Sequence, residues 1–586
     1  MCYDNNVGVI MRKKKVKVKK KSFVFIFIIL LMLGGGFYIY KYGLPKNLAI
    51  LPNEKFLANT NNVVELFELK KEETEEKKEV EKLEKSKDIS RGTKVKVYEK
   101  DKKTFDEKEY VRIEHDKKEY YILSTNYVDK YEDVVLEKEL FVRTSVNLLK
   151  DLEGNIGTLL KKGDKLEVIG YEKLLDDGKV DIYKVKKEEN EGYVYSKYVV
   201  LDSDTANKVY DEEGIYKIHV DRTDKYGGGN AKNLDYYPVE KPKFEENKMP
   251  DEVYALYVNG SKGIRNSIDN YIEYAKTTKI NAFVVDIKDD QVPAYASKVY
   301  DEYSPTNAKH AYNSVEDYKY AIDRLKEEGF YVIGRITTFK DDYYAADNPD
   351  NVIKTTSGTL LKHNGSYWPS AFNRDVWKFN VDLAKEAVNL FHFNEIQFDY
   401  CRFPDRLNSY EKAGTIDYGN TYSEEKAEVL QKFLYYATDE LHKLNVYVSC
   451  DVFGESSWGY VTAYGQYWPA MSNIVDAISA MPYTDHFSKD ESYWKNPYQT
   501  MLNWGKTAAE RQKEIPTPAV ARTWITAYDT PYWKPTVTYD GEMLSKQIQG
   551  LYDAGLTGGY MTWNANSSLA KYKSQATAFK KTYTAE

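Results

Sequence analysis

From Val253 onward, short apolar runs of strand length alternate with longer stretches of helical period. The strands expected are Val253–Asn259, Ala282–Lys288, Tyr331–Thr337, Glu395–Cys401, Val446–Asp451, Ala477–Tyr483, Pro518–Thr523 and Gly559–Trp563. Between them lie the helical patterns Ile268–Thr278, Val315–Glu328, Asp375–Phe391, Glu424–Leu444, Pro497–Glu510 and Gly541–Asp553, with a weaker one near Tyr467–Asn473. This alternation predicts an α/β fold for residues 251–586, a (β/α)8 TIM barrel with insertions. An open doubly wound sheet is the competing arrangement, but no Gly-rich phosphate turn follows the first strand.

The N-terminal pattern is different. Residues 1–21 end in a basic run, and Ser22–Tyr40 is an uncharged apolar stretch. That length and those flanks predict a transmembrane signal-anchor helix, with a cytoplasmic N-terminus and the bulk of the chain outside. A cleaved signal peptide is the alternative, which would leave a secreted protein; no clear small-x-small site follows the run. Residues 41–88 are expected to be a spacer, solvated and partly helical where Glu and Lys dominate from Glu65 to Lys87. Residues 89–133 and 134–202 carry short β-patterns broken by turns. The second set, with Val142–Leu148, Gly157–Ile169 and Glu191–Tyr198, resembles bacterial SH3-like domains, and the first resembles a degenerate copy. The resemblance implies binding of cell-wall peptide or glycan; a spacer or a packing partner is the other reading. Residues 203–250, with Gly227-Gly-Gly229, are expected to be a linker lying partly on the barrel.

Composition narrows the partner. The 586 residues hold 84 Lys and Arg against 91 Asp and Glu, a net charge of −7, which argues against nucleic acid as the main partner. The cysteines are Cys2, Cys401 and Cys450, too few for a disulfide framework. The 54 Tyr and 9 Trp supply rings with a polar edge, the side chains that pack on sugar faces, though such residues also build ordinary cores. Trp377 and Trp504 fall on helices, while Trp368, Trp458, Trp468, Trp494, Trp524, Trp533 and Trp563 fall in loops or at strand ends on the expected catalytic face.

Charged residues recur at the ends of neighbouring strands. Asp286 and Lys288 share a face of the second strand by alternation, with Asp289 next to them. Arg335 ends the third strand, Asp399 and Arg402 the fourth, and Asp451 and Glu455 the fifth. A charged group inside a barrel is costly unless paired or functional, so part of this set is expected to be a structural ion network and part to be chemistry. Glycoside hydrolysis fits best, because it needs one carboxylate as nucleophile or base and one protonated carboxyl as acid. Asp399 is the candidate for the first role, and Asp451 or Glu455 for the second. Neighbouring strands lie ~4.8 Å apart, so a direct Asp399–Asp451 pair favours the short separation of a retaining enzyme, whereas Glu455 allows a longer gap. Asp286, Lys288, Asp289, Arg335 and Arg402 are expected to tune or bind, together with Tyr483, Trp524 and Trp563. No nucleophile elbow, His-Glu-x-x-His or Cys-x-x-Cys motif occurs, and no cofactor or metal is called for. The competing metal reading would bring His310, His363 and His486 together with Asp289, as in a metal-dependent hydrolase, deacetylase or amidase.

Val284-Val-Asp-Ile-Lys-Asp289 and Glu395-Ile-Gln-Phe-Asp-Tyr-Cys-Arg-Phe-Pro404 resemble the hallmarks of a family of glycosyl-hydrolase-like barrels, catalogued as a domain of unknown function. The similarity spans about Pro250 to Asn566 and departs from the family pattern at Cys401, where a small or β-branched residue is usual. It implies a (β/α)8 fold, action on a polysaccharide or peptidoglycan, and Asp399 as a catalytic carboxylate; it does not identify the second one. A non-catalytic glycan-binding or wall-anchoring scaffold on the same fold is the rival function.

Overall fold

The computed structural model describes residues 51–73, 79–208, 210, 227–530 and 534–585. The expected anchor Ser22–Tyr40 and Trp533 lie outside these residues. Among the described residues no helix is long and apolar enough to cross a membrane. The chain divides into two compact units, Met1–Lys138 with Val168–Tyr183, and Glu139–Glu167 with Lys184–Glu586.

The first unit contains a seven-stranded antiparallel sheet that begins at Asn53. The Glu/Lys-rich stretch is not a partly helical spacer: Val63–Glu73 and Glu79–Ser90 pair antiparallel within this sheet. Val64 and Leu66 alternate with exposed Glu65 and are buried with Val95, Val97, Val111, Ile113 and Ile122. Period-two alternation in only four residues anchors a strand pair whose remaining positions are mostly charged and exposed. A second seven-stranded sheet is built from strands between Glu139 and Val200.

The second unit is dominated by a nearly closed parallel barrel. Its strands are β1 (Val253–Val258), β2 (Ala282–Asp289), β3 (Tyr331–Thr337), β4 (Glu395–Asp399), β5 (Tyr447–Phe453), β6 (Ala477–Met481), β7 (Val520–Ala521), β8 (Thr523–Thr526) and β9 (Gly559–Trp563). The hydrogen-bonded order is β7-β6-β5-β4-β3-β2-β1-β9-β8. β7 and β8 are successive segments parted by Arg522 alone; β7 pairs with β6 and β8 with β9, so this interrupted strand brings the two edges together. Val253, Ala255, Ala282, Val284, Ile333 and Met561 are among the buried residues that fill the interior.

The helices follow their caps. Asn373 caps α1 (Arg374–Phe391) by accepting from Asp375 N, and left-handed His392 ends it. Glu425 and Glu428 form a reciprocal capping box on α2 (Lys426–His442). This helix is buried on nearly every face. Its outer side is covered within the same unit: Tyr198 Oη donates to Asp439 at 2.8 Å, and Gln431 accepts from Asp235 N of the linker at 2.9 Å. The linker is fastened again by Lys241, whose Nζ donates to the carbonyls of Asn473 and Val475 at 2.9 and 2.7 Å.

At the N-terminal end of the barrel, Arg522 and Glu395 form a fully buried pair, Nη1 lying 2.8–2.9 Å from both carboxylate oxygens. Tyr331 Oη also donates to Glu395, at 2.9 Å. This buried ion pair, outside the set of charges singled out from the sequence, lies at the end of the strands away from Asp399.

Candidate active site

The strands place the candidate carboxyls around one guanidinium. Arg335 enters from β3 and is 2% exposed. Its Nε and Nη2 donate to Asp399 Oδ2 at 3.0 and 2.6 Å, and its Nη1 donates to Asp286 Oδ1 at 2.7 Å and to Asp289 Oδ1 at 3.2 Å. Asp451 Oδ2 lies 4.0 Å from Nε. Asp286, Asp289, Asp399 and Asp451 thus converge from β2, β4 and β5 on a single cation.

Two local backbone features direct these side chains. β4 stops at Asp399 rather than Cys401, because Tyr400 takes a left-handed φ of 49°. Its N–H turns back to donate to Asp399 Oδ1 at 2.6 Å. Asp290, with φ 46°, makes a similar turn after β2. Left-handed non-glycine residues are strained, and here both occupy the chemistry-bearing ends of strands. The second feature is an irregularity in β2: Asp286 pairs with Arg335 and Lys288 with Ile336, so Ile287 is an extra residue. Simple alternation put Asp286 and Lys288 on one face; the bulge overturns this. Asp289 joins Asp286 at Arg335, and Lys288 turns into a separate, fully buried pair with Asp341 at 3.0 Å, with its ammonium over Phe379. Burial pushes the Lys288 amine down, and Asp341 opposes this. Gly260 makes room beside β2, since a Cβ there would stand 2.7 Å from Asp286 O and 2.4 Å from Ala294 Cβ.

The carboxyls differ in their environments. Asp451 Oδ1 accepts from Trp524 Nε1 at 2.8 Å, while the buried Oδ2 has no hydrogen-bond partner among the described residues. Burial first, then the charge of Asp399, push the Asp451 carboxyl well above the usual range, with Arg335 pulling the other way. Burial likewise pushes Asp286 up to about 7, against the opposing pull of Arg335 and of the hydrogen bond from Tyr257. Glu455 stands apart: it is exposed on the 3-10 turn after β5, where Tyr460 and Tyr464 each donate to it at 2.9 Å.

Aromatic rings wall the cluster. Trp563 lies under the Arg335 guanidinium at 5.3 Å, meets Tyr257 at 4.7 Å and Trp524 at 5.7 Å, and stacks on Tyr483 at 6.5 Å. Arg402 does not join the carboxyls. It is buried over Phe453 and Trp368, at 4.5 and 5.0 Å, and donates to Phe403 O. Of the tryptophans expected to face a ligand, Trp368, Trp468, Trp494 and Trp524 are buried, Trp563 is half-buried and Trp458 is exposed. The loop histidines have separate partners: His310 meets Thr306 O and Tyr343, His363 meets Asp405 O, and His486 approaches Asp485. Among the described residues no three His, Cys, Asp or Glu side chains are grouped to hold a metal.

Sequence reasoning missed Tyr257, whose hydroxyl donates to Asp286, and Gln466, whose amide bridges the carbonyls of Cys401 and Asp451 at 3.2 Å each. The alternation Val253, Ala255, Tyr257 along β1 carried the first of these, since Tyr257 occupies the same strand-end position as the residues selected on β2 to β5. Nothing in the loop sequence marks Gln466.

Residues 255–569 match the family described as "Putative glycosyl hydrolase domain", more than half of the chain. The chain belongs to that family. The solved structures to which the chain shows some similarity include glycoside hydrolases. A hypothetical protein from Ruminiclostridium thermocellum ATCC 27405 is 30% identical over 34% of this chain and 97% of its own, with a TM-score of 0.29. The PgaB (BpsB) glycoside hydrolase domain from Bordetella bronchiseptica is 15% identical over 56% of this chain and 100% of its own, with a TM-score of 0.41. The spore cortex-lytic enzyme SleL from Bacillus megaterium QM B1551 is 11% identical over 57% of this chain and 76% of its own, with a TM-score of 0.35. No curated protein matches the chain.

Proposed function

We propose that this glycosyl hydrolase-family barrel cleaves glycosidic bonds, with Asp451 as proton donor and Asp399 as the nucleophile or charge-stabilising carboxylate. The observation that carries the reading is the contrast between two adjacent carboxyls. One, Asp399, is anchored on Arg335; the other, Asp451, is buried with a free oxygen and is pushed towards its protonated form. Environments that drive two neighbouring carboxyls apart assign the acid and its partner. Both approach Arg335 Nε, Asp399 at 3.0 Å and Asp451 at 4.0 Å, which fits the close pair of a retaining mechanism better than a pair spaced for an intervening water. Asp286, Asp289 and Tyr257 hold Arg335 and limit its rotation. Trp563, half-buried and backed by the buried Tyr483, offers a ring face to a sugar.

The substrate we propose is cell-wall glycan or surface polysaccharide, reached from the outer face of a membrane by a chain anchored through Ser22–Tyr40, with the SH3-like modules binding the wall. This reading rests on the basic-then-apolar N-terminal pattern and on the family. The rival, a glycan-binding scaffold, has one observation in its favour: Asp399 already accepts three hydrogen bonds, leaving little of it free to attack.

The test is release of reducing ends from purified wall glycan and surface polysaccharides by the wild-type chain beside Asp399→Asn. New ends from the wild type alone establish hydrolysis through Asp399. Tight binding by both proteins without new ends establishes the scaffold.

A further inference from the structure

The turn after β5 carries a feature that the cleavage chemistry leaves unused. It is firmly held: Trp504 Nε1 and the Ser457 hydroxyl donate to Gly454 O at 3.0 and 2.9 Å, and Phe453 N donates to Gln466 Oε1 at 2.9 Å. From it Trp458 projects with 47% of its surface exposed, while Trp368, Trp377, Trp468, Trp494, Trp504 and Trp524 are all buried. A single exposed apolar residue is ordinary on a protein surface and would carry nothing alone. Here a second group accompanies it. Tyr460, edge-on to the Trp458 ring at 5.9 Å, also donates to Glu455 Oε1, and Tyr464 donates to Glu455 Oε2, both at 2.9 Å. Among the described residues no Lys or Arg pairs with Glu455. A carboxylate aimed by two hydroxyls, with lone pairs facing water beside an open indole, matches the two-sided chemistry of a sugar: a C–H face that stacks on a ring and hydroxyls that donate.

The patch adjoins the cleavage site. Tyr464 O accepts from Phe403 N at 2.9 Å, and the Arg402 guanidinium lies 6.0 Å from the Tyr464 ring, so the Glu455 support is tied to the loop leaving Asp399.

We propose that Trp458 and Glu455 form a subsite that grips a pyranose unit of the glycan at a distance from the bond cleaved; the ligand class, though not the geometry, rests on the hydrolase reading above. The indole packs on the ring face and the carboxylate accepts from hydroxyl or amino groups. The negative charge of Glu455 selects neutral or amino sugars and disfavours uronates.

The experiment is affinity electrophoresis of the full chain, in mild detergent, through native gels cast with glycol chitin or with polygalacturonate. Wild type, Asp399→Asn, Trp458→Phe and Trp458→Ala are run side by side. The expected result is retardation of the first three in glycol chitin, about tenfold weaker binding by Trp458→Ala, and no retardation of any form in polygalacturonate. The half-exposed position of Trp458 predicts an unchanged melting midpoint for the alanine variant, which separates lost binding from lost folding. Equal retardation of Trp458→Ala and wild type overturns the subsite, as does absence of retardation of the wild type in glycol chitin or Trp458-dependent retardation in polygalacturonate. Trp458-dependent retardation without reducing-end release by the wild type keeps the subsite and removes the hydrolase. Turnover without dependence of binding on Trp458 does the reverse.

Discussion

Asp451→Asn separates the proton of this side chain from its shape. In the wild type Oδ1 accepts from Trp524 Nε1 at 2.8 Å, and Oδ2 is buried without a hydrogen-bond partner among the described residues. An amide keeps the first contact through its oxygen and places an NH2 where Oδ2 stood, matching the neutral carboxylic acid in charge and volume. At or below about pH 4, where the wild-type carboxyl is neutral in both states, stability should therefore change by no more than about 1 kcal/mol. The sign with pH is also set. The raised folded-state pKa of Asp451 means that the wild type loses stability as pH rises above the unfolded value, about 4. Asparagine has no proton to lose, so the variant gains relative to wild type as pH increases. What disappears is the general acid, whose contribution is typically 10²–10⁴-fold in rate, about 3–5 kcal/mol of barrier. Turnover of polysaccharide should fall by that factor. The kcat/KM for an aryl glycoside whose dinitrophenolate departs unprotonated, which reports the first displacement alone, should fall less than about tenfold. The assay pairs reducing-end release with dinitrophenolate absorbance, and urea unfolding verifies the fold. Equal loss on both substrates would move Asp451 to the attacking role. Unchanged turnover of the polymer would remove it from the chemistry.

Two further outcomes follow from the buried charges. Asp286, with its pKa near 7, should make the wild type lose stability as pH rises from about 4 to about 7, so Asp286→Asn should gain on the wild type by up to about 1.4 kcal/mol per pH unit in that window; urea unfolding at pH 5 and pH 7 measures this, and no relative gain refutes the raised value. Glu395→Ala should cost about 3–5 kcal/mol by leaving Arg522 buried and unpaired, and Glu395→Met with Arg522→Leu should recover most of it. Both proteins should keep turnover per folded molecule, because β4 carries Glu395 at one end and Asp399 at the other; a loss of turnover in the stable double variant would place the pair in the active site.

Most of the barrel was legible because a buried parallel strand writes itself as a short apolar run. Tyr331–Thr337 and Gly559–Trp563 were located to the residue. Failures came where a single residue departs from the regular period. The extra residue at Ile287 separates Lys288 from Asp286, left-handed Tyr400 ends β4 early, and Arg522 interrupts the strand that closes the barrel. The Glu/Lys-rich hairpin was misread because charged positions dominate its composition, while two buried residues, Val64 and Leu66, decide its packing.

Periodicity in the chain determined which strands exist, their order, and that Asp286, Arg335, Asp399 and Asp451 fall near corresponding strand ends. Those properties are local: they depend on which face of each strand is apolar and on where the run stops. Only the tertiary structure decided that one guanidinium serves Asp286, Asp289 and Asp399, that Lys288 belongs to Asp341, and that Asp451 rather than Glu455 is buried beside Asp399. These outcomes depend on desolvation and on distances between side chains far apart in sequence, which barrel closure sets and no single strand contains.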